Sequence, residues 1–343
     1  MFNSKRVYFK LAGVAAALAM GATASISALA ADITGAGATF PYAVYSKWAE
    51  AYQAATGNKV NYQGIGSSGG VKQIKAKTVD FAGTDAPVKE ADLDAAGLVQ
   101  FPSVMGGVTI VVNLPGIASG QLKLDGATAA DIFRGAITKW SDARIAKLNP
   151  GVKLPDTAIT VSHRSDGSGT TFVFSNYLAK QSMAFMRDVG AGNTVNWPAN
   201  AIGGKGNAGV AANVQKIAGT IGYVDIADAM KNKMTFVALK NKAGNYIVPN
   251  QEAVADAAAG ANFKVRGMAP DLLDQSHKNA WPITSATYVL AYEKGADATK
   301  QQGVVDFFKW SLNNGQKMAE ELGFVALPAS VVKMVEAEMK NIK

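Results

Sequence analysis

The sequence contains no cysteine and only two histidines, His163 and His277, among 343 residues. Without thiols there is no disulfide framework, no thiolate metal site, no cysteine nucleophile and no cysteine for a lipid anchor. No H-x-x-x-H pair occurs and Asp92 with Asp94 fits no calcium loop, so neither a resident metal nor another cofactor is expected. Charge is also sparse, at 17% of the chain, with 34 basic residues against 26 acidic ones. The bases are scattered and form no dense block, which argues against a nucleic-acid surface. The apolar run Leu11–Met20 is too short to span a bilayer and is broken by Gly21.

That run reads as part of a cleavable secretory signal. Lys5, Arg6 and Lys10 form its basic start, and Ala28-Leu29-Ala30 an A-x-A cleavage site, so residues 1–30 are expected to be removed. Three bases leave with them, and the net charge of +8 falls by three. A cysteine-free exported chain points to the bacterial periplasm. The remaining length, near three hundred residues, suggests two lobes, because single cores stop growing at about that size.

What the chain has in quantity is strand, small-residue turn and helix, repeated. Asp32-Ile33-Thr34 starts a strand, residues 35–40 (Gly-Ala-Gly-Ala-Thr-Phe) form a turn, and a helix follows from Pro41 until Gly57 closes it. Lys59–Gln63, the turn Gly64–Gly70 and the helix Val71–Lys77 repeat the pattern. Val79–Gly83 is a short strand ending in Thr84 and Asp85, and Gly107–Asn113 a β-branched strand that completes the first lobe. Thr128 with Asp131 looks like a capping pair. Further strands are expected at 158–161, 220–224 and 286–292, helices at 208–217, 304–312 and 330–339, and a hairpin around Asn241–Asn245. Alternating strands and helices indicate parallel sheets covered on both faces, with ligands taken at the carboxyl ends of the strands. The fold class is therefore α/β: lobe I is 32–113 plus 285–343, lobe II is 114–284, and two hinge crossings lie near Asn113 and Trp281–Ser285.

The most informative stretch is Val161–Phe174, a third strand-to-helix turn. It exposes helix N–H groups that have no partner within the helix, at the positive end of the peptide dipoles. Ser168 and Thr170 add hydroxyls, Gly167 and Gly169 let a ligand approach, and Arg164 reaches over as a planar fork. Asp166, two residues on, is placed to clamp the guanidinium. A capped helix start with a surface ion pair is the plainer reading of this segment alone.

Taken together, the motifs at 35–40, 64–70 (Gly-Ile-Gly-Ser-Ser-Gly-Gly), 80–85 and 164–170 strongly resemble the periplasmic phosphate-binding proteins of ABC-type uptake systems. The resemblance extends to Leu148–Gly151, Gly203–Gly206 and Trp281–Thr284. It implies a type II two-lobed binding-protein fold with phosphate in the interlobe cleft. It also implies a monomer that delivers phosphate to a membrane permease and ATPase. Carried over position by position, the ligand contacts fall at Ala38, Thr39, Phe40, Ser67, Asp85, Arg164, Ser168, Gly169 and Thr170. Asp85 has its own physical logic. A carboxylate beside a bound anion repels it unless the anion carries a proton, as phosphate does near neutrality and sulfate does not.

Two other classes are open to the sequence. Gly66-Ser67-Ser68-Gly69-Gly70 matches the G-x-S-x-G pattern of a serine hydrolase, with Ser67 or Ser68 as nucleophile and His163 as base across the cleft. A binding protein for another oxyanion, such as sulfate or molybdate, would share the architecture and lack the proton-accepting carboxylate. Gly203-Gly204-Lys205-Gly206 lacks the spacing of a nucleotide loop and reads as a turn.

Overall fold

The computed structural model describes residues 32–343, so the signal expected over residues 1–30 lies outside the described residues. The chain opens with β1 (Ile33–Gly37), α1 (Tyr42–Thr56), β2 (Val60–Gly64), α2 (Ser67–Lys75), β3 (Phe81–Thr84), α3 (Glu90–Ala96) and β4 (Leu98–Val112). β1 is built of small residues because a helix lies directly on it. A Cβ on Gly70 of α2 would fall 2.5 Å from Gly37 Cα. α2 begins earlier than expected, at Ser67, because its Ser-Ser-Gly-Gly start resembles a loop in composition.

The middle of the chain supplies β5 (Lys123–Leu124), α4 (Gly126–Phe133), α5 (Ala143–Leu148), β6 (Thr160–Arg164), α6 (Gly169–Gln181), α7 (Met183–Asp188), β7 (Ile202–Gly204) and α8 (Gly206–Lys216). β8 (Thr220–Asp225), α9 (Ile226–Lys231), β9 (Thr235–Phe236), the β10 (Ala238–Lys240) and β11 (Tyr246–Ile247) hairpin, and α10 (Gln251–Ala258) follow. The cap of α4 is Asp125, which accepts from Thr128 N–H, and not Thr128 itself. Asp131 pairs instead with Arg134 and Arg144. β12 (Thr284–Tyr292), α11 (Ala298–Asn314), α12 (Gln316–Glu321) and α13 (Ala329–Glu338) complete the chain.

Nine strands form one sheet in the order β2-β1-β3-β12-β4-β8-β6-β7, with β9 on β4. Each end is parallel, β2-β1-β3 and β8-β6-β7, as the strand–helix alternation predicts. The centre is antiparallel, which the alternation does not predict. β4 and β12 lie side by side at the middle of the sheet and run in opposite directions, although they are far apart in the chain. β4 is also longer than expected and pairs with β12 through Gly107, then with β8 from Val108. The lobe division placed after Asn113 thus follows the end of β4, whereas the change of pairing partner comes at Gly107–Val108.

The terminal helices pack on the first lobe. Tyr45 and Tyr52 of α1 meet Phe308 and Phe307 of α11 at ring-centroid distances of 5.7 and 5.4 Å. Trp48 is fully buried and donates from its indole to Gly315 O at 2.8 Å. Aromatic burial of this kind is a large share of a lobe's stability. The same cluster reaches the sheet through Tyr45 on Tyr62 of β2 and Phe308 on Phe81 of β3.

Candidate anion-binding site

Strand register decides which loops meet. Gly37 of β1 is level with Gly64 of β2 and Gly83 of β3, so the loops carrying Thr39, Ser67 and Asp85 leave the sheet together. In the other lobe Arg164 of β6 is level with Gly204 of β7, which brings residues 165–168 beside 205–206. The two loop sets face one another and touch. Ser68 N–H donates to Gly167 O at 3.0 Å, and Asn193 Nδ2 donates to Ser68 Oγ at 3.1 Å. A Cβ on Gly169 would fall 2.4 Å from Ser67 Oγ and 2.6 Å from Asp85 Oδ2, so only glycine allows this approach.

Between the loops lies a nook of polar groups withdrawn from solvent. Ser67, Asp85, Arg164, Ser168 and Thr170 are all buried. Arg164 is held on three sides. Its Nε and Nη2 donate to Asp166 Oδ1 and Oδ2 at 2.8 and 2.6 Å, and its Nη1 donates to Thr170 Oγ1 and Asn207 Oδ1 at 3.2 and 3.1 Å. Four of the five guanidinium N–H groups are therefore directed, and one on Nη2 remains. Burial pushes the Asp166 carboxyl up, but the Arg164 hydrogen bonds and charge, with Gly206 N–H, outweigh it and hold it below the usual range. The Arg164–Asp166 pair is thus a buried clamp and not a surface ion pair.

The other donors come from loops and helix starts. Ser168 caps α6, its Oγ accepting from Thr171 N–H at 3.0 Å, which leaves the hydroxyl proton to donate elsewhere. The amides of Gly169 and Thr170 open the same helix and have no acceptor within it. Ser67 Oγ accepts from Asp85 N–H at 3.3 Å and keeps its own proton free. Ala38 uses its N–H on Gly83 O and its carbonyl on Tyr62 Oη, so it fixes the loop that carries Thr39 and Phe40. The Phe40 ring packs on Phe324 at 5.9 Å, anchoring its backbone at the rim.

Asp85 is an acidic group beside Ser67 and Gly169 that is not tied up by the Arg164 guanidinium, as Asp166 is. Thr287 Oγ1 donates to its Oδ1 at 2.6 Å, at a register shift in β12 between Thr287 and Tyr288 that aims this side chain at the nook. Oδ2 faces Gly169. Burial pushes the carboxyl up to about 7, against the lowering effects of the Thr287 hydrogen bond and the Arg164 charge. At neutral pH it is therefore poised to gain or lose a proton.

Residues 22–314 match the PBP superfamily domain. The chain is 51% identical over 306 residues to the phosphate-binding protein PstS of Xylella fastidiosa strain 9a5c, covering 89% of this chain and 84% of that protein. It is 48% identical over 320 residues to PstS of Pasteurella multocida strain Pm70, covering 93% of each. The chain belongs to the PstS family of phosphate-binding proteins. Its architecture also matches a phosphate-bound structure of PfluDING, a high-affinity periplasmic phosphate-binding protein, with a TM-score of 0.71 at 23% identity. That match covers 89% of this chain and 93% of the other, and the two share the two-lobed α/β fold.

Against this family background the hydrolase pattern at 66–70 can be judged on geometry. Ser67 Oγ meets the Asp85 amide and Ser68 Oγ meets Asn193, whereas His163 stacks on Trp197 at 5.5 Å and bonds Arg164 O through Nδ1 at 2.9 Å. No serine–histidine pair forms among the described residues. Sequence reading overlooked four partners of the nook: Thr287, Asn207, Asp225 and Asn193. Asn207 alone left a trace, since Gly203–Gly206 precedes a helix just as the three recognised turns do.

Proposed function

We propose that the chain binds inorganic phosphate between its lobes and hands it to an ABC-type permease and ATPase for import. Phosphate would be held by the backbone of Thr39 and Phe40, whose loop Ala38 fixes without a free donor of its own, and by Ser67, Arg164, Ser168, Gly169 and Thr170, with its hydroxyl hydrogen donated to Asp85 and Asp166 holding the guanidinium. The observation that carries this reading is a buried carboxyl among buried donors: a dehydrated oxyanion fits such a set if it brings its own hydrogen. Each donor or acceptor left unmatched in a dry site costs about 1–3 kcal/mol, so sulfate or molybdate would be rejected by Asp85. The names and bound ligand of the relatives support the same ligand class. The protein acts as a monomer in the periplasm after loss of residues 1–30, and performs no covalent chemistry. The lobes, 32–113 with 285–343 and 114–284, close on the ion about two crossings, in β4 and ahead of β12.

Titration with phosphate, arsenate, sulfate and a phosphate monoester, followed by tryptophan fluorescence, tests this. The expected result is saturable response to the first two alone. A response to sulfate equal to that for phosphate, or none to phosphate, would refute it.

A further inference from the structure

Asn207 lies at the start of α8, fully buried, and belongs to none of the three loops singled out in the sequence. It touches both the guanidinium and the opposite lobe. Its Oδ1 accepts from Arg164 Nη1 at 3.1 Å, and its Nδ2 donates to Asp225 Oδ2 at 2.6 Å. Its backbone N–H donates to Thr39 Oγ1 at 3.4 Å. The amide orientation is forced, because a guanidinium can only donate and the Asp225 carboxylate accepts. Asp225 is fixed in turn by Asp228 N–H, which donates to its Oδ1 at 2.8 Å as the cap of α9.

From this geometry we infer that Asn207, oriented by Asp225, is a positioning residue for phosphate binding: it sets the angle of the Arg164 fork and ties it to Thr39 across the cleft. The inference rests on the reading that Arg164 contacts phosphate. Asp166 fixes one edge of the guanidinium, and without a second anchor the plane can still swing about that edge. Asn207 supplies an anchor on Nη1 beside Thr170 Oγ1, which is itself one of the proposed phosphate contacts, so that the remaining Nη2 N–H points in one direction. The carboxylate behind it costs stability. Burial, then the neighbouring Asp228 charge, push Asp225 well above the ordinary carboxylate range.

The test uses the full chain and inorganic phosphate. Asp225→Ala removes the acceptor behind Asn207 Nδ2, so the buried amide loses the partner that holds it in place. Phosphate Kd should rise roughly tenfold; the ligand-free melt falls as well with the α9 cap lost, so the second variant separates aiming of the fork from general destabilisation. Asn207→Ala should raise Kd on the order of 10- to 100-fold in the parent but no more than about twofold in an Arg164→Lys background, where no planar fork remains to be aimed. Equal fold-losses in both backgrounds, or unchanged affinity in Asp225→Ala, would overturn the role. Failure of the parent itself to bind phosphate would instead remove the underlying reading.

Discussion

Replacing Asp85 by Asn separates the proposed recognition rule from simple attraction for anions. Asparagine keeps the shape but has one acceptor oxygen where Asp85 has two: with Oδ1 still accepting from Thr287 Oγ1, the atom facing the ligand becomes an Nδ2 that donates to an unprotonated phosphate oxygen. It also loses the charge. A hydrogen bond to a charged group contributes about 1.5–3 kcal/mol and a neutral one about 0.5–1.5, so phosphate should lose about 1 kcal/mol, roughly fivefold in Kd. Sulfate is relieved of a carboxylate facing one of its oxygens. At about 4 Å and an effective dielectric near 20, that repulsion is on the order of 4 kcal/mol. That penalty is capped by the cost of protonating Asp85, whose pKa is about 7, so its relief is worth roughly twofold at pH 7 and about a hundredfold at pH 9, where calorimetry should show the preference for phosphate over sulfate shrinking by that factor in the variant.

The same residue gives the pH dependence its sign. In the ligand-free protein the folded pKa of Asp85 is raised to about 7. The stability this contributes is fully present below the unfolded value near 3.8, and is lost as pH rises toward and through 7. For a carboxyl buried to this degree the span corresponds to about 4 kcal/mol. Ligand-free urea unfolding across this window should show that loss in the parent and a flatter profile in Asp85→Asn. Sulfate binding by the parent should strengthen as pH falls toward 7, where Asp85 takes up a proton and becomes a donor, and level off below it, and it should be nearly level throughout in the variant. Parallel pH profiles for the two proteins, with an unchanged phosphate-to-sulfate ratio, would refute the assignment.

Three further outcomes follow from the contact between the lobes. Gly169→Ala puts a methyl group where Ser67 Oγ and Asp85 Oδ2 already lie, while the helix start itself accepts alanine. Overpacking of about 1–3 kcal/mol predicts phosphate affinity weaker by roughly 5- to 150-fold with an intact ligand-free melt, and unchanged affinity would contradict the close approach. Asn193→Ala removes the 3.1 Å bond to Ser68 Oγ, which joins the lobes without using a proposed contact residue. Stopped-flow should show phosphate leaving about fivefold faster at constant association rate, and a change confined to association would count against this role. Because Asp166 already balances Arg164, phosphate Kd should vary less than about threefold between low and roughly 0.5 M salt; a steep salt dependence would mean that surface charge dominates.

The sequence made the parallel ends of the sheet legible, because each strand there is followed by its own turn and helix. It did not reveal the antiparallel centre, since β4 and β12 are both buried along their whole length and carry no alternation from which direction or partner can be read. Among the site residues, those on glycine-bearing turns were legible from local chemistry, and the Arg164–Asp166 clamp followed from their spacing. Thr287 was not, being one β-branched residue within a strand; only the register of β12 against β3 and the shift beside it bring its hydroxyl to Asp85. Asn207, Asp225 and Asn193 were missed because the hydrogen bonds that matter join residues far apart in the chain.

Net charge is a poor account of why an anion would enter this nook. Asp166 already neutralises Arg164, and Asp85 adds either nothing or a further negative charge, so the site's own balance is zero or below. Attraction must then come from fixed dipoles: hydroxyl and amide N–H groups held by caps, by strand register and by the Asn207 anchor, with nowhere else to donate. Such a set gives little to an ion of the wrong shape. By turning an acceptor toward the ligand it also selects for protonation, a property that shape alone does not distinguish. A carboxyl with its pKa near 7 can hold that proton itself or receive it from the ion. The buried acid is therefore compatible with a protonated oxyanion over a range of pH, where a cluster of bare cations would accept any anion that fits.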